Sequence, residues 1–333
     1  MKKPLIALTA GLLLTTATGA AFAQEETEIV FIGKNTGNPY FDSLTQGFVD
    51  ACEEIACNFE FVAPATAEAT SQIPFIEAQI QRGVDVIAIS PNSPDALNQV
   101  LQSAQEQDIL VLTVNGDITG NEQYRDATIL PTDFTKVGAD QVEMLGSLID
   151  YEGQIAILSA TTEAPDQNFW IEGMKETLEN DPKYENMELV ATVYGDDQPE
   201  KSTTEMEALL SNYPDLKGVI APTTVGIAAA AQVVQSRGIA DQVKVTGLGL
   251  PSEMRDFIKD GTVEAFQLWS PYNEGWLAAH MAVGVENGEI TIEPGETFEV
   301  PNLGTITINE GNSINTQSSL TTFDESNIDE FEF

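Results

Sequence analysis

Basic residues are scarce in this chain: Lys and Arg total 14 against 53 Asp and Glu, for a formal net charge of −39. That imbalance argues against nucleic acid or an anionic membrane as a partner, because both would repel it. The acids are spread along the whole chain rather than clustered. A solvated acidic surface suited to a salty medium is therefore the preferred reading over a site for cationic substrates. Histidine is nearly absent. The one residue, His280, falls inside a predicted helix and reads as a partly exposed helix residue, not a proton-transfer group. With one His and two Cys, no zinc site is expected. Also missing are a G-x-S-x-G elbow, a phosphate-binding P-loop and a G-x-G-x-x-G after a strand. Gly247-Leu-Gly-Leu-Pro251 is glycine-rich, but Pro251 interrupts any dinucleotide fingerprint, so it reads as a turn. No cofactor is expected.

Long apolar runs are confined to the start. Lys2 and Lys3 precede an apolar Leu5–Leu14, and Ala21-Phe-Ala23 matches a small-residue cleavage site before Gln24. Residues 1–23 read as a signal peptide, the run being too short to span a bilayer. The remaining 333 − 23 = 310 residues carry 12 bases against 53 acids, a net −41, and suffice for two core-bearing domains. A periplasmic, monomeric protein is expected. In that oxidising compartment Cys52 and Cys57 could pair. Residues five apart on a regular helix point in different directions, so a bridge requires the last helical turn to unwind; bridge and free thiols both stand open.

The rest of the chain alternates short β-branched strands with amphipathic helices. Strands are expected at 29–33, 59–63, 86–90, 109–114 and 127–130, with helices at 40–57, 73–82 and 95–107 between them. A second cycle places strands at 155–158, 189–193, 218–221, 243–246 and 265–269. Its helices fall at 136–148, 169–180, 201–212, 226–237 and 251–260. Nearly continuous apolar strands imply parallel sheets covered on both faces. The fold class is α/β: two doubly wound parallel-sheet lobes. A late helix at 273–285 has no βα partner in the second run, so the chain returns to the first lobe and the lobes share several crossovers.

In open α/β sheets the ligand site lies beyond the carboxyl ends of the strands. Those ends carry Lys34, Asn35, Asn38, Tyr40 and Phe41, then Asn115 and Asp117. In the second run they carry Asp166, Gln167, Asn168 and Trp170, then Pro222, Thr223 and Thr224, then Trp269. Carboxylates and amides among aromatics suit a neutral polyol: hydroxyls bond to the charged groups and ring faces pack on Tyr40, Phe41, Trp170 and Trp269. One or two of these four are expected in the core, since Phe41 and Trp170 open amphipathic helices. Asp117 and Asp166 could alternatively form the acid pair of a glycoside hydrolase, a minority reading.

The Asn38-Pro-Tyr-Phe41 turn resembles the ligand-stacking turn of type I periplasmic sugar-binding proteins. Further segments carry the resemblance across the chain: Ile157-Leu-Ser-Ala-Thr-Thr162, Asp166-Gln-Asn168, Val190–Asp197, Ala221–Ala228, Thr246–Met254 and Ser326-Asn-Ile-Asp329. Together they look like the rhamnose-binding branch, related to proteins that bind a furanosyl quorum-sensing signal. The resemblance implies the periplasmic binding protein type I fold, in the substrate-binding component of an ABC importer. Rhamnose or a related aldose would be held between lobes joined by a three-segment hinge. The partners so implied are the sugar, an inner-membrane permease and, in another reading, a chemoreceptor. Crossovers are then expected near Thr132–Asp133, Ser270–Pro271 and Phe298–Pro301. That divides the chain into a first lobe of 24–132 plus 271–298 and a second of 133–270 plus 299–333. Lys34, Asp117, Asp166, Gln167, Pro222 and Thr224 would face the ligand. The branch has Trp-Asp-Ser-Asp or similar where this chain has Val114-Asn-Gly-Asp117, which exchanges an obligate acceptor for Asn115, both donor and acceptor.

Overall fold

The computed structural model describes residues 26–333; the predicted signal peptide, 1–23, lies outside the described residues. The first lobe opens with β1 (Glu28–Ile32), α1 (Pro39–Ile55), β2 (Asn58–Val62), α2 (Ile73–Arg82), β3 (Val86–Ile89), α3 (Asn98–Gln105), β4 (Leu110–Val114) and β5 (Ala127–Leu130). The chain then crosses to the second lobe: α4 (Phe134–Leu148), β6 (Glu152–Ser159), α5 (Pro165–Asn180), β7 (Asn186–Tyr194), α6 (Pro199–Asn212) and β8 (Leu216–Ala221). This lobe continues through α7 (Thr224–Arg237), β9 (Lys244–Gly247), α8 (Pro251–Lys259) and β10 (Ala265–Leu268). Last come α9 (Pro271–Glu286), β11 (Thr297–Val300), β12 (Gly304–Thr307), β13 (Ser313–Asn315) and β14 (Thr321–Asp324). Among the described residues no helix is long and apolar enough to cross a membrane.

The strands of the first lobe are apolar on both faces for a visible reason. Ile29 and Phe31 of β1 join the core under α1 and α9, whereas Val30 and Ile32 join a second core under α2 and α3. Val86 and Ala88 divide from Ile87 and Ile89 in the same way. The sheet order is β2-β1-β3-β4-β5-β13, and the second lobe repeats it as β7-β6-β8-β9, continued by a bridge from Leu248 to Gln267 of β10. Both lobes thus have a switch point at which the strand order reverses, between β1 and β3 and between β6 and β8. A crevice opens at such a point beyond the carboxyl ends of the strands.

Helix α9 returns to the first lobe as expected and crosses α1 at close range. A Cβ on Gly47 would lie 2.1 Å from the Tyr272 carbonyl oxygen, and one on Gly275 would lie 2.0 Å from that of Leu44. Only reciprocal glycines permit that backbone approach. α1 itself begins at the Asn38 cap, whose side chain accepts from the Tyr40 N–H, with Pro39 in the first turn. It ends at Ala56, which takes a left-handed conformation (φ 56°). That unwinding brings Cys57 back towards Cys52, with 4.6 Å between their Cα atoms, and the two form a disulfide.

The third crossover departs from the expectation of Phe298–Pro301. β13 pairs in parallel with β5 through Ser313–Thr128, Ile314–Ile129 and Asn315–Leu130, so it belongs to the first sheet. β14 pairs with β10 in the second lobe. The chain therefore crosses over residues 316–320, and 299–315 stay with the first lobe. Trp276 of α9 also holds this stretch, its Nε1 donating to the Pro301 carbonyl at 2.9 Å. The strand lacked a readable period because Ile314 alone carries its burial among polar neighbours.

Candidate ligand-binding site

The loops that follow β1 and β6, the equivalent first strands of the two lobes, meet face to face. Lys34 from one and Asp166 from the other form a buried ion pair, Nζ lying 2.7 Å from both carboxylate oxygens. Their side chains are 5% and 2% exposed. The Lys34 loop is fixed from below by wholly buried Gln72, which donates to the Gly33 and Ser90 carbonyls at 3.0 and 2.7 Å. Asn92 donates to the Lys34 carbonyl at 2.8 Å. Asp166 sits in the first turn of α5, where the helix dipole favours a negative charge.

Around this pair lies a small, closely walled cavity. The first lobe contributes Lys34, Asn38, Tyr40, Phe41 and Asn115 to its wall; the second contributes Asp166, Gln167, Trp170, Pro222, Thr223, Thr224 and Trp269. Gln167 has its carbonyl oxygen fixed by the Ala160 N–H at 3.2 Å, and Thr224 Oγ1 reaches Asn38 Oδ1 across the cleft at 3.4 Å. All four predicted aromatics line the cavity and are at most 5% exposed. Core and wall are therefore the same residues here. The Trp170 and Trp269 rings meet edge-on, with centroids 5.6 Å apart.

Three of the strand-end residues are placed elsewhere; Asn35 is buried but outside the cavity wall. Asp117 was expected to face the ligand but does not line the cavity. The Arg125 guanidinium holds it as a fork, Nε at 2.6 Å and Nη2 at 2.7 Å, while the Ile118 N–H donates to the same carboxylate at 2.9 Å. It lines a neighbouring crevice, which touches the back of Asp166. Asn168 turns away and donates to the Thr162 carbonyl at 2.8 Å, tightening the loop before α5. Among the described residues no group of His, Cys, Asp and Glu is arranged to hold a metal.

Four cavity residues had not been foreseen from the sequence: Asp197, Leu248 and Leu268 in the wall, and Glu274 just behind it. Asp197 lies just beyond the carboxyl end of β7, so the same strand-end rule covers it. It accepts from Thr223 Oγ1 at 2.5 Å. Burial pushes its carboxyl above the usual range and Asp166 adds to that, while Lys34 opposes it. Asp196 and Asp197 both adopt left-handed backbone (φ 53° and 52°), a conformation Asp tolerates better than most residues. Glu274 is wholly buried and hydrogen-bonded to the Tyr40 hydroxyl. Its sequence signal was an acid in the first turn of an Ala- and Gly-rich helix.

Comparison with known proteins agrees with this geometry. A family profile described as a periplasmic binding protein domain matches residues 29–290. An ABC transporter solute-binding protein from Clostridium phytofermentas, solved with bound L-rhamnose, is 34% identical with a TM-score of 0.87, covering 92% of this chain and 98% of that one. LsrB from Clostridium saccharobutylicum, in complex with AI-2, is similar in fold, with a TM-score of 0.84 at 23% identity over 92% of this chain and 99% of that one. The D-ribose/D-allose-binding protein of Pseudomonas aeruginosa is 29% identical over 254 residues, 72% of this chain and 76% of the relative. The whole cavity wall, from Lys34 to Trp269, falls within the matched region: the chain belongs to the periplasmic binding protein domain family.

Proposed function

We propose that this protein captures a neutral monosaccharide, rhamnose or a closely related sugar, between its lobes outside the cytoplasmic membrane and presents it to the permease of an ABC importer. The observation that carries the reading is the interlobe cavity, where Lys34 and Asp166 meet among amide, hydroxyl and indole groups. The two charges neutralise each other and leave several strong partners for hydroxyls. Leu248, Leu268 and Phe41 add an apolar wall suited to the methyl group of a 6-deoxy sugar. The solved relative with L-rhamnose supports the choice of ligand. Because the site straddles the cleft, ligand binding favours the closed arrangement by contacting both lobes at once.

Binding is favoured over hydrolysis, because the fork of Arg125 holds Asp117 out of the cavity and the Asp117–Asp166 acid pair is not assembled across it. Isothermal titration against a panel of deoxyhexoses, hexoses, pentoses and a furanosyl signal tests the reading. L-rhamnose or a near stereoisomer is expected to bind most tightly. Absence of heat from every sugar would overturn it.

A further inference from the structure

Behind the sugar-facing wall, three side chains converge on one phenol. Tyr40 Oη receives a hydrogen bond from Trp269 Nε1 at 2.6 Å, lies 2.7 Å from Asn115 Oδ1, and makes a short contact with Glu274 Oε1. A phenol has one proton to donate. The indole N–H can only donate, so the remaining two neighbours, both oxygens, compete for that proton. They are satisfied together only if one of them brings its own. Asn115 Oδ1 has none, which leaves the carboxyl of Glu274.

The surroundings of Glu274 agree. Its second oxygen, Oε2, has no hydrogen-bond partner among the described residues, although an ionised buried carboxylate requires donors on both oxygens. Among the described residues no cation bonds to it. Burial dominates and raises its affinity for the proton, against the Tyr40 and Trp269 contacts, which favour ionisation; of the charged groups, Asp166 of α5 adds to the rise and Lys34 opposes it. Tyr40, facing it from α1, is likewise held neutral by burial.

The proton order has a consequence at the cavity. With Glu274 donating to the phenol, the phenol donates to Asn115 Oδ1, and the amide is held with Nδ2 away from Tyr40. Nδ2 makes no hydrogen bond within the described residues, and Asn115 lines the cavity. Were Glu274 ionised, it would take the phenolic proton; the amide would turn over and present its oxygen to the ligand instead. The left-handed backbone of Asn115 (φ 66°) fixes where the side chain starts, so turning the amide is the freedom that remains.

We propose that Glu274 is a positioning residue for ligand specificity: as a neutral carboxylic acid it relays its proton through Tyr40, so that Asn115 offers the ligand a donor and not an acceptor. The part concerning the ligand rests on the sugar-binding reading; the part concerning the proton does not.

Infrared difference spectra between E274Q and the unmodified protein, without ligand at neutral pH, are expected to show loss of a protonated-carboxyl C=O band. Y40F keeps Glu274 but removes its acceptor, and is expected to shift that band, which tests the assignment should E274Q not fold. Loss of a carboxylate band in E274Q, or no shift in Y40F, would overturn the proposal. In titrations with the sugar that binds best, E274Q, whose amide can still donate to the phenol, is expected to retain affinity within about threefold. N115D, an obligate acceptor, is expected to lose about tenfold or more. Unchanged affinity in N115D would show that Asn115 accepts from the ligand and would overturn the donor assignment. If no sugar binds the unmodified protein, the sugar reading fails while the infrared result still decides where the proton sits.

Discussion

The acid ends of two equivalent lobes differ in one decisive respect. Asp117, beyond β4, and Asp166, beyond β6, both satisfy the strand-end rule and both form a close ion pair with a base. Arg125, the partner of Asp117, lies eight residues on in the same lobe, and also donates to the Gly311 carbonyl. The partner of Asp166 is Lys34, 132 residues away on the facing lobe. The first pair lies within one lobe, whereas the second joins the two lobes across the cleft. An acid bonded within its lobe contributes to that lobe's stability; one bonded across the cleft is available to a ligand.

Exchanging the two acids for alanine is the sharpest way to break this comparison. Asp166→Ala is expected to lower sugar affinity by 100-fold or more, through two lost charge-assisted contacts of about 1.5–3 kcal/mol each. Its melting temperature should change little, because opening the lobes lets water reach Lys34. Asp117→Ala should invert the pattern. It leaves Arg125, 6% exposed, without its carboxylate in a place no hinge can open, so a loss of about 3 kcal/mol is expected with affinity nearly kept. Calorimetric titration and thermal unfolding on both variants decide; equal effects on affinity would erase the distinction.

A smaller effect is expected at the crossing of α1 and α9. Gly275→Ala would overpack the Leu44 backbone and cost about 1–3 kcal/mol. It would also displace the neighbouring Glu274 from Tyr40 and weaken binding. Denaturant unfolding and titration measure the two together.

The pH dependence of stability separates the walls more finely. Glu274 holds its proton in the folded protein well above its ordinary value of 4.5. Its contribution is therefore fully present below pH 4.5 and declines as pH rises towards its folded value, because the unfolded chain releases the proton first. E274Q should flatten the fall in melting temperature above that pH; an unchanged slope would show Glu274 ionised. The smallest effect expected is a rise in melting temperature with added NaCl, from screening of the net negative surface.

Much of the molecule was legible without coordinates because the signals are local. A βα unit buried on both faces writes a continuous apolar strand, and strands such as Ala127–Leu130 and helices such as Ile73–Arg82 lie where their pattern placed them. Strand ends then named twelve of the residues in the cavity wall, from Lys34 to Trp269. Asp197 was within reach of the same rule. Cys52 and Cys57 were not resolved by spacing, because the answer depended on Ala56 leaving the helix.

Composition and periodicity alone thus determined the two α/β lobes and the place where their loops converge, since burial on both faces and the direction of a parallel strand are properties of short segments. Tertiary structure decided the rest. β13 joins the first sheet through a single buried Ile314, a pairing with β5 that no local period announces. Asp117 and Asp166 both satisfy the strand-end rule, and the positions of Arg125 and Lys34 separate them. Glu274 reaches Tyr40 across 234 residues because two glycines let α9 lie against α1. Partners that distant are set by how elements pack, and packing is the one thing a linear pattern does not carry.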